Sequence, residues 1–254
     1  MDLPRNAFKR ALGEGRLQLG LWCSLLGGYS AEIIAGSGFD WLLLDTEHSP
    51  GDPGTVLGQL QAVAPYPVTP IVRPPSNDAV AIKRFLDIGA QTLLVPFVQT
   101  PEEAEAAVRA VTYPPQGIRG VSGITRATRF GRIPDYGRRA ADELCLLVQV
   151  ETAEALGNLE AIASVPGVDG VFIGPADLGA SLGYIGEPSH PKVMKAVADA
   201  IRRIKACGKP AGILTSDAAF AQNCIDQGAL FVAVGVDAAL LARSSEALAR
   251  QFGR

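Results

Sequence analysis

Short runs of apolar residues alternate with amphipathic stretches along the whole chain. Eight apolar runs are candidates for strands: residues 17–25, 39–45, 68–73, 92–98, 144–151, 170–174, 210–215 and 230–236. These runs are rich in Val, Leu and Ile and are mostly apolar on both faces, which is typical of parallel strands buried beneath helices.

The stretches between these runs carry helix signals. Asp78 precedes one helical stretch, and Thr100 is followed by Pro101 and two acidic residues, a pattern typical of a helix N-terminus. Asp237 is predicted to cap the last helix. Eight strand–helix units predict a single-domain α/β fold, a (β/α)8 barrel over residues 1–254. An open doubly wound sheet is the alternative, but no Gly-x-Gly-x-x-Gly follows the first run.

Composition and charge narrow the class of partner. The net charge is -3 with no basic run, so nucleic acid is not expected as a partner. No apolar stretch reaches the roughly 20 residues that span a bilayer, so no membrane partner is expected. The N-terminus lacks the apolar core of a signal peptide, which predicts a cytoplasmic protein. The four cysteines form no Cys-x-x-Cys pair and are predicted to be buried thiols: Cys23, Cys145, Cys207 and Cys224.

One segment interrupts the alternation. Residues 113–136 form a long connection, rich in Gly and Arg, between a helix and the fifth strand run. A connection that follows a helix lies on the barrel face opposite the chain's own active site. We therefore predict a solvated loop or an oligomer contact, and the alternative is a contribution to a neighbouring subunit's site.

Active sites of such barrels lie at the C-terminal ends of the strands, so polar residues there are the candidates. The second run ends in Asp45, followed closely by His48, and the third ends in Arg73. A carboxylate beside an imidazole can fix its tautomer, so His48 is a candidate general base with Asp45 as its partner. A purely structural histidine is the alternative. The planar guanidinium of Arg73 is suited to hold a carboxylate or an enolate.

The fifth run carries a second set of polar residues. Gln149 and Glu151 alternate with valines, so both are predicted to face the barrel axis. Glu151 and Asp177, at neighbouring strand ends, are predicted to hold one divalent metal, Mg²⁺, Mn²⁺ or Co²⁺, with oxygen ligands. The alternatives are a salt bridge from Glu151 to Arg73 and a helix-capping role for Asp177.

The turn after the sixth run adds a predicted binding surface for a small α-keto acid. Backbone N–H groups of Gly174, Ala176 and Asp177 lie at a helix start, where anions bind, and Pro175 lies among them. Leu214, near the end of the seventh run, is a further predicted substrate contact. All the lysines fall in or beside predicted helices or below the barrel, so a Schiff base is not expected. A metal would then polarise the carbonyl, with no organic cofactor.

At these residues the chain resembles the HpcH/HpaI family of metal-dependent pyruvate aldolases, and within it the 4-hydroxy-2-oxoheptanedioate aldolases. The resemblance extends from about Phe8 to the C-terminus, and its most specific blocks are GFDWLLLDTEHSP, LLVPFVQT, YPPQGIRGV, LCLLVQVET, GVDGVFIGPADL and LFVAVGVD.

This resemblance implies roles for the same residues. Glu151 and Asp177 would hold the metal, which pyruvate chelates, with Gln149 beside it. Arg73 would steady the enolate, and His48 with Asp45 would transfer a proton. It also implies a homohexamer that exchanges C-terminal helices, and products pyruvate and succinate semialdehyde.

The chain departs from the family's pattern at two places. Thr46 replaces the usual Gly, and SGITRATRF follows YPPQGIRGV. Both departures concern access of the aldehyde, so the substrate stays open. The alternatives are a 2-keto-3-deoxy sugar-acid aldolase, a CoA-thioester lyase like the citrate lyase β-subunit, which could use Arg119, Arg126, Arg129 and Arg132, and an inactive barrel that senses a keto acid.

Overall fold

Parallel hydrogen bonding joins eight strands in chain order and closes them into one barrel. The computed structural model describes residues 1–254. The strands are β1 Gln18–Cys23, β2 Trp41–Asp45, β3 Thr69–Arg73, β4 Thr92–Val95, β5 Cys145–Val150, β6 Gly170–Ile173, β7 Ala211–Leu214 and β8 Ala229–Val236. The predicted (β/α)8 barrel is confirmed, and the alternative of an open doubly wound sheet is wrong.

Helices surround this barrel. They are α1 Ala7–Gly13, α2 Gly28–Ala35, α3 Pro53–Val63, α4 Ala79–Asp87, α5 Pro101–Val111, α6 Tyr136–Glu143, α7 Ala153–Gly157, α8 Leu159–Ser164, α9 Pro175–Ser181, α10 Pro191–Ala206, α11 Ala218–Gln227 and α12 Asp237–Gln251. None of them combines the length and the hydropathy that crossing a membrane would require.

Two of the predicted helix caps are confirmed. The Asp78 side chain accepts a hydrogen bond from the amide of Ala81 at 2.8 Å, and the Thr100 hydroxyl accepts one from the amide of Glu103 at 3.3 Å. Each satisfies an N–H group that has no partner within its helix. These caps fix where α4 and α5 begin.

Asp237 does not cap α12 as predicted. The cap position is Val236, and Asp237 is the first helical residue. Its buried carboxylate accepts hydrogen bonds from the amides of Ser24 and Leu25 at 2.8 and 3.1 Å. The residue therefore ties the start of α12 to the end of β1.

The core has two layers, because strand side chains point alternately inward and outward. The outer layer packs between strands and helices and includes Val148 and Val150. The inner layer fills the barrel with large rings, among them Trp41 and Phe231. From below, α1 inserts Phe8, whose ring centroid lies 6.0 Å from that of Trp41 and 5.9 Å from that of Phe231. Aromatic packing thus closes the N-terminal mouth of the barrel.

Two strand glycines make room for these rings. A Cβ atom built on Gly212 would lie 2.1 Å from the ring of Phe231, and one on Gly20 would lie 2.2 Å from the ring of Trp41. Both separations are far inside van der Waals contact. Only glycine lets the strand backbone lie against a ring at these positions.

The connection 113–136 contains no helix or strand before α6. It lies against the C-terminal end of α4, where Arg126 donates a hydrogen bond to the carbonyl of Ile88 at 2.8 Å. Near its ends, the buried guanidinium of Arg119 lies over the rings of Tyr113 and Tyr136, 4.4 and 5.9 Å from their centroids. The loop is therefore on the N-terminal face, as predicted from its place in the chain.

All four cysteines are free thiols. Cys23, Cys145 and Cys224 are buried, and Cys207 is partly exposed. Burial raises the pKa of Cys224 to about 11, so this thiol stays protonated at neutral pH. The prediction of buried thiols is confirmed for these three cysteines.

Candidate active site

The ends of β2 and β3 place Asp45 and Arg73 side by side as register partners. The guanidinium binds the carboxylate at two points, with Nε–Oδ1 and Nη2–Oδ2 distances of 2.8 Å each. Trp22 donates to the same carboxylate at 3.3 Å, and its ring lies 4.8 Å from the Arg73 guanidinium carbon. Burial raises the pKa of Asp45, but the hydrogen bonds and charge of Arg73 outweigh it and leave the pKa below its ordinary value.

Glu47 is a site residue that sequence reasoning missed. Its Oε2 atom forms an ion pair with Nη1 of Arg73 at 2.6 Å, but the oxygen lies off the N–H direction and makes no hydrogen bond. Burial raises the pKa of Glu47 above its ordinary value. The charges of Arg73 and His48 lower this pKa, and the negative charges of Asp45 and Asp177 raise it. Glu47 therefore interacts electrostatically both with Asp45 and Arg73 at the ends of β2 and β3 and with Asp177 in α9. Its position two residues beyond Asp45, at the C-terminal end of β2, is the sequence signal that could have identified it.

His48 is exposed and lies close enough to Glu47 for its charge to act on that carboxylate. The structure does not bring His48 into hydrogen-bond contact with Asp45, the predicted partner. The Asp45 oxygens accept instead from Arg73, Trp22 and the amide of Glu47. The buried arginine takes the carboxylate because it offers two parallel charge-assisted hydrogen bonds.

Glu151 lies just beyond the end of β5 and is 2 % exposed. The amide of Phe97 donates to its Oε1 atom at 2.9 Å, and Nε2 of Gln149 donates to its Oε2 atom. Burial first, and then the negative charges of Glu47 and Asp177, raise the pKa of Glu151 to about 7. The alternative of a salt bridge from Glu151 to Arg73 is wrong, because Arg73 pairs with Asp45 and Glu47.

Asp177 lies exposed in the first turn of α9 and contributes to the same negative field. It does not cap the helix, because the cap position belongs to Gly174. A Cβ atom on Gly174 would lie 2.4 Å from Oε2 of Glu151, so only glycine leaves space for that carboxylate. The Gly174 N–H was predicted to bind an anion, but it donates to the Val150 carbonyl at 3.2 Å and is not free to do so. The amides of Ala176 and Asp177 remain, since Pro175 has no N–H.

These residues fit a divalent cation. Glu151 and Asp177 offer carboxylate oxygens, which hard divalent ions prefer. The Oε1 atom of Gln149 is buried without a hydrogen-bond partner, as expected of a group that faces a water or ligand. No three His, Cys, Asp or Glu side chains are grouped where they could hold a metal ion, so the protein carboxylates available to a cation here are Glu151 and Asp177.

Two further predicted residues take different places. Leu214 ends β7, is partly exposed and packs against the inner layer of the barrel, on the same face as the carboxylates. Thr46 is buried, and its hydroxyl donates to the carbonyl of Arg73 at 2.6 Å. This departure from the family pattern therefore links the end of β2 to the end of β3, and its effect on access of the aldehyde stays a prediction.

The fold and the site together define a barrel enzyme with an oxygen-rich acidic centre beside a buried arginine. The sequence model of the HpcH/HpaI aldolase/citrate lyase family matches residues 18–244. The chain belongs to this family, as the sequence blocks predicted.

Curated relatives match over nearly the whole chain. A protein of Rhizobium etli named pyruvate aldolase is 68% identical and covers 99% of both chains. A 4-hydroxy-2-oxo-heptane-1,7-dioate aldolase of Salmonella paratyphi B is 58% identical over 98% of this chain and 95% of its own. A hydroxypyruvate/pyruvate aldolase of Sagittula stellata is also 58% identical, over 99% of this chain and 98% of its own.

Solved structures share the fold of this chain. The crystal structure of a family member from Burkholderia cenocepacia superposes with a TM-score of 0.94, at 39% identity, covering 98% of this chain and 100% of the other. The architecture described above is thus the architecture of the family.

Proposed function

We propose that this protein is a divalent-metal-dependent pyruvate aldolase, which cleaves 4-hydroxy-2-oxo acids to pyruvate and an aldehyde and catalyses the reverse addition. The observation that carries the proposal is the convergence of Glu151, Asp177 and the unpaired Gln149 oxygen beside Arg73 at one end of the barrel. The names of the curated relatives support the same reaction class.

Each residue has a role in this proposal. Glu151 and Asp177 would hold the metal, which when bound supplies a Lewis acid for the keto group of the substrate. Asp45 and Glu47 fix the guanidinium of Arg73. Its remaining N–H groups would bind the carboxylate of the substrate and the negative charge that develops on the substrate's keto oxygen. His48, exposed beside Glu47, accepts the proton of the 4-hydroxyl group.

The candidate substrate is 4-hydroxy-2-oxoheptanedioate, the compound in the Salmonella relative's name. Its cleavage would give pyruvate and succinate semialdehyde. A 2-keto-3-deoxy sugar acid is the second candidate. A CoA thioester fits less well: Arg119 is buried, and Arg126 binds a helix carbonyl on the opposite face of the barrel. Two of the four arginines that could bind CoA phosphates are therefore engaged away from the site.

The test compares EDTA-treated protein with protein given back Mg²⁺, Mn²⁺ or Co²⁺, with release of pyruvate from 4-hydroxy-2-oxoheptanedioate as the readout. Activity is expected to vanish with EDTA and to return with the metal. Glu151→Ala and Asp177→Ala should each abolish it and also weaken Mn²⁺ binding in calorimetry. Glu105→Ala, which removes an exposed carboxylate on α5, is the matched control. Full activity in EDTA would refute the metal-dependent mechanism.

We also propose that the chain forms a homo-oligomer, a hexamer by its resemblance to the family, in which neighbours exchange α12. In support, α12 has no buried residue after Asp237. Leu241, Leu248 and Phe252 are 61, 57 and 79 % exposed, and their spacing places them on one side of the helix. An apolar stripe of this kind usually packs against another surface.

A further inference from the structure

Phe97 has an unusual backbone conformation. Its φ angle is 54°, in the left-handed region that bulky side chains rarely adopt. The strand β4 ends at Val95, which pairs with Val148, and the chain returns to β5 where the amide of Val98 donates to the carbonyl of Gln149 at 3.0 Å. Phe97 lies between these two attachments, as the residue that bends the strand end toward the site.

The bend directs the backbone of Phe97 at the candidate metal site. Its amide donates to Oε1 of Glu151 at 2.9 Å, and Gln149 holds the other oxygen, so both oxygens of the carboxylate are oriented. A glycine at position 97 would present the same amide without a steric penalty. The hydrogen bond therefore accounts for the backbone conformation but not for the phenylalanine.

The aromatic ring is not required by the core. Phe97 is 53 % exposed and belongs to neither hydrophobic cluster. Because its amide lies 2.9 Å from Oε1 of Glu151, the side chain of Phe97 begins beside the candidate metal site. A large apolar side chain that is both exposed and conformationally disfavoured indicates a functional contact.

The ring of Phe97 offers a partner apolar contact and no charge. An apolar chain on the aldehyde would therefore gain from contact with the ring. A terminal carboxylate on the aldehyde would gain little from it.

We propose that Phe97 is a specificity-determining residue whose ring forms an apolar wall for the aldehyde, and that this ring contributes more to the reaction of aldehydes with an apolar end than to that of aldehydes ending in a carboxylate. This inference rests on the proposed function. In the addition, C3 of pyruvate loses a proton and bonds to the aldehyde carbon, whose oxygen gains a proton. The ring contacts only the substituent of that aldehyde.

The test uses the Mn²⁺-loaded protein and measures kcat/KM for addition of pyruvate to butanal and to succinate semialdehyde. In Phe97→Ala the butanal to succinate semialdehyde ratio should fall about tenfold, the effect of losing a few methylene contacts, and Phe97→Leu should restore most of it. Phe130→Ala is the matched control, because Phe130 is also left-handed and 58 % exposed but lies in the 113–136 loop. An unchanged ratio in Phe97→Ala, or an equal fall in Phe130→Ala, would overturn the inference.

Exchange of the pyruvate methyl protons in D2O, followed by NMR, separates this inference from the proposed function, because it needs no aldehyde. Each variant's addition rates are normalised to its exchange rate. Exchange in the parent protein combined with an unchanged aldehyde ratio in Phe97→Ala would refute the role of Phe97 alone. Absence of metal-dependent exchange in the parent would refute the proposed function itself.

Discussion

At the scale of single residues, the barrel interior leaves no room for one added methyl group at position 212. In Gly212→Ala the new Cβ would meet the ring of Phe231 at 2.1 Å, so ring and strand must shift. We expect the free energy of unfolding to fall by about 1–3 kcal/mol, the usual cost of overpacking a core. Urea denaturation followed by tryptophan fluorescence measures this change.

Gly58→Ala serves as the control of opposite sign. Gly58 lies inside α3, and a Cβ atom there has no neighbour within 4 Å. Alanine should stabilise the helix by roughly 0.5–1 kcal/mol, because it restricts the unfolded chain more than glycine does. A loss at Gly58 as large as that at Gly212 would mean that crowding by Phe231 is not the cause.

The direction of site side chains could be predicted from the sequence, but their partners could not. Alternation over residues 148–151 was enough to direct Gln149 and Glu151 inward. The partner of Asp45 depends on the register of β2 against β3, which places Arg73 beside it and gives two hydrogen bonds that His48 does not match. Phe97 carried no signal, since its importance lies in a φ angle that the residue type disfavours.

At the scale of secondary-structure elements, all eight strands could be predicted, because buried parallel strands are apolar on both faces. The start of α12 was harder to place. Asp237 resembles a cap in the sequence, but its carboxylate bonds to amides on another element, and periodicity along one segment cannot reveal such a contact.

The exposed apolar stripe of α12 should hold the oligomer together. In Leu241→Glu/Leu248→Glu the two charges would have to be buried in the interface, so the assembly should dissociate. Arg243→Glu adds a negative charge on the opposite side of α12 and should leave the assembly intact. Sedimentation velocity measures the mass of each variant, and a double variant of unchanged mass would contradict the exchange of α12.

At the scale of the whole molecule, aromatic rings fill the barrel below the candidate site. Phe8, Trp41 and Phe231 close the N-terminal mouth, so every small molecule must pass through the opposite end. Glu151, which would hold the metal that binds pyruvate, is almost fully buried, whereas Phe97 beside it is half exposed. With pyruvate at the metal and the aldehyde against Phe97, as we propose, the aldehyde would lie between pyruvate and solvent.

When two products leave a site through the same opening, the product nearer the opening must leave first. In cleavage, the aldehyde should depart first and pyruvate last, so pyruvate should inhibit competitively against the hydroxy-oxo acid and the aldehyde noncompetitively. Initial-rate product inhibition distinguishes this from random release, in which both products would compete with the substrate for the free enzyme. With the lower end of the barrel filled by side chains, depth in the site would thus set the order in which the products leave.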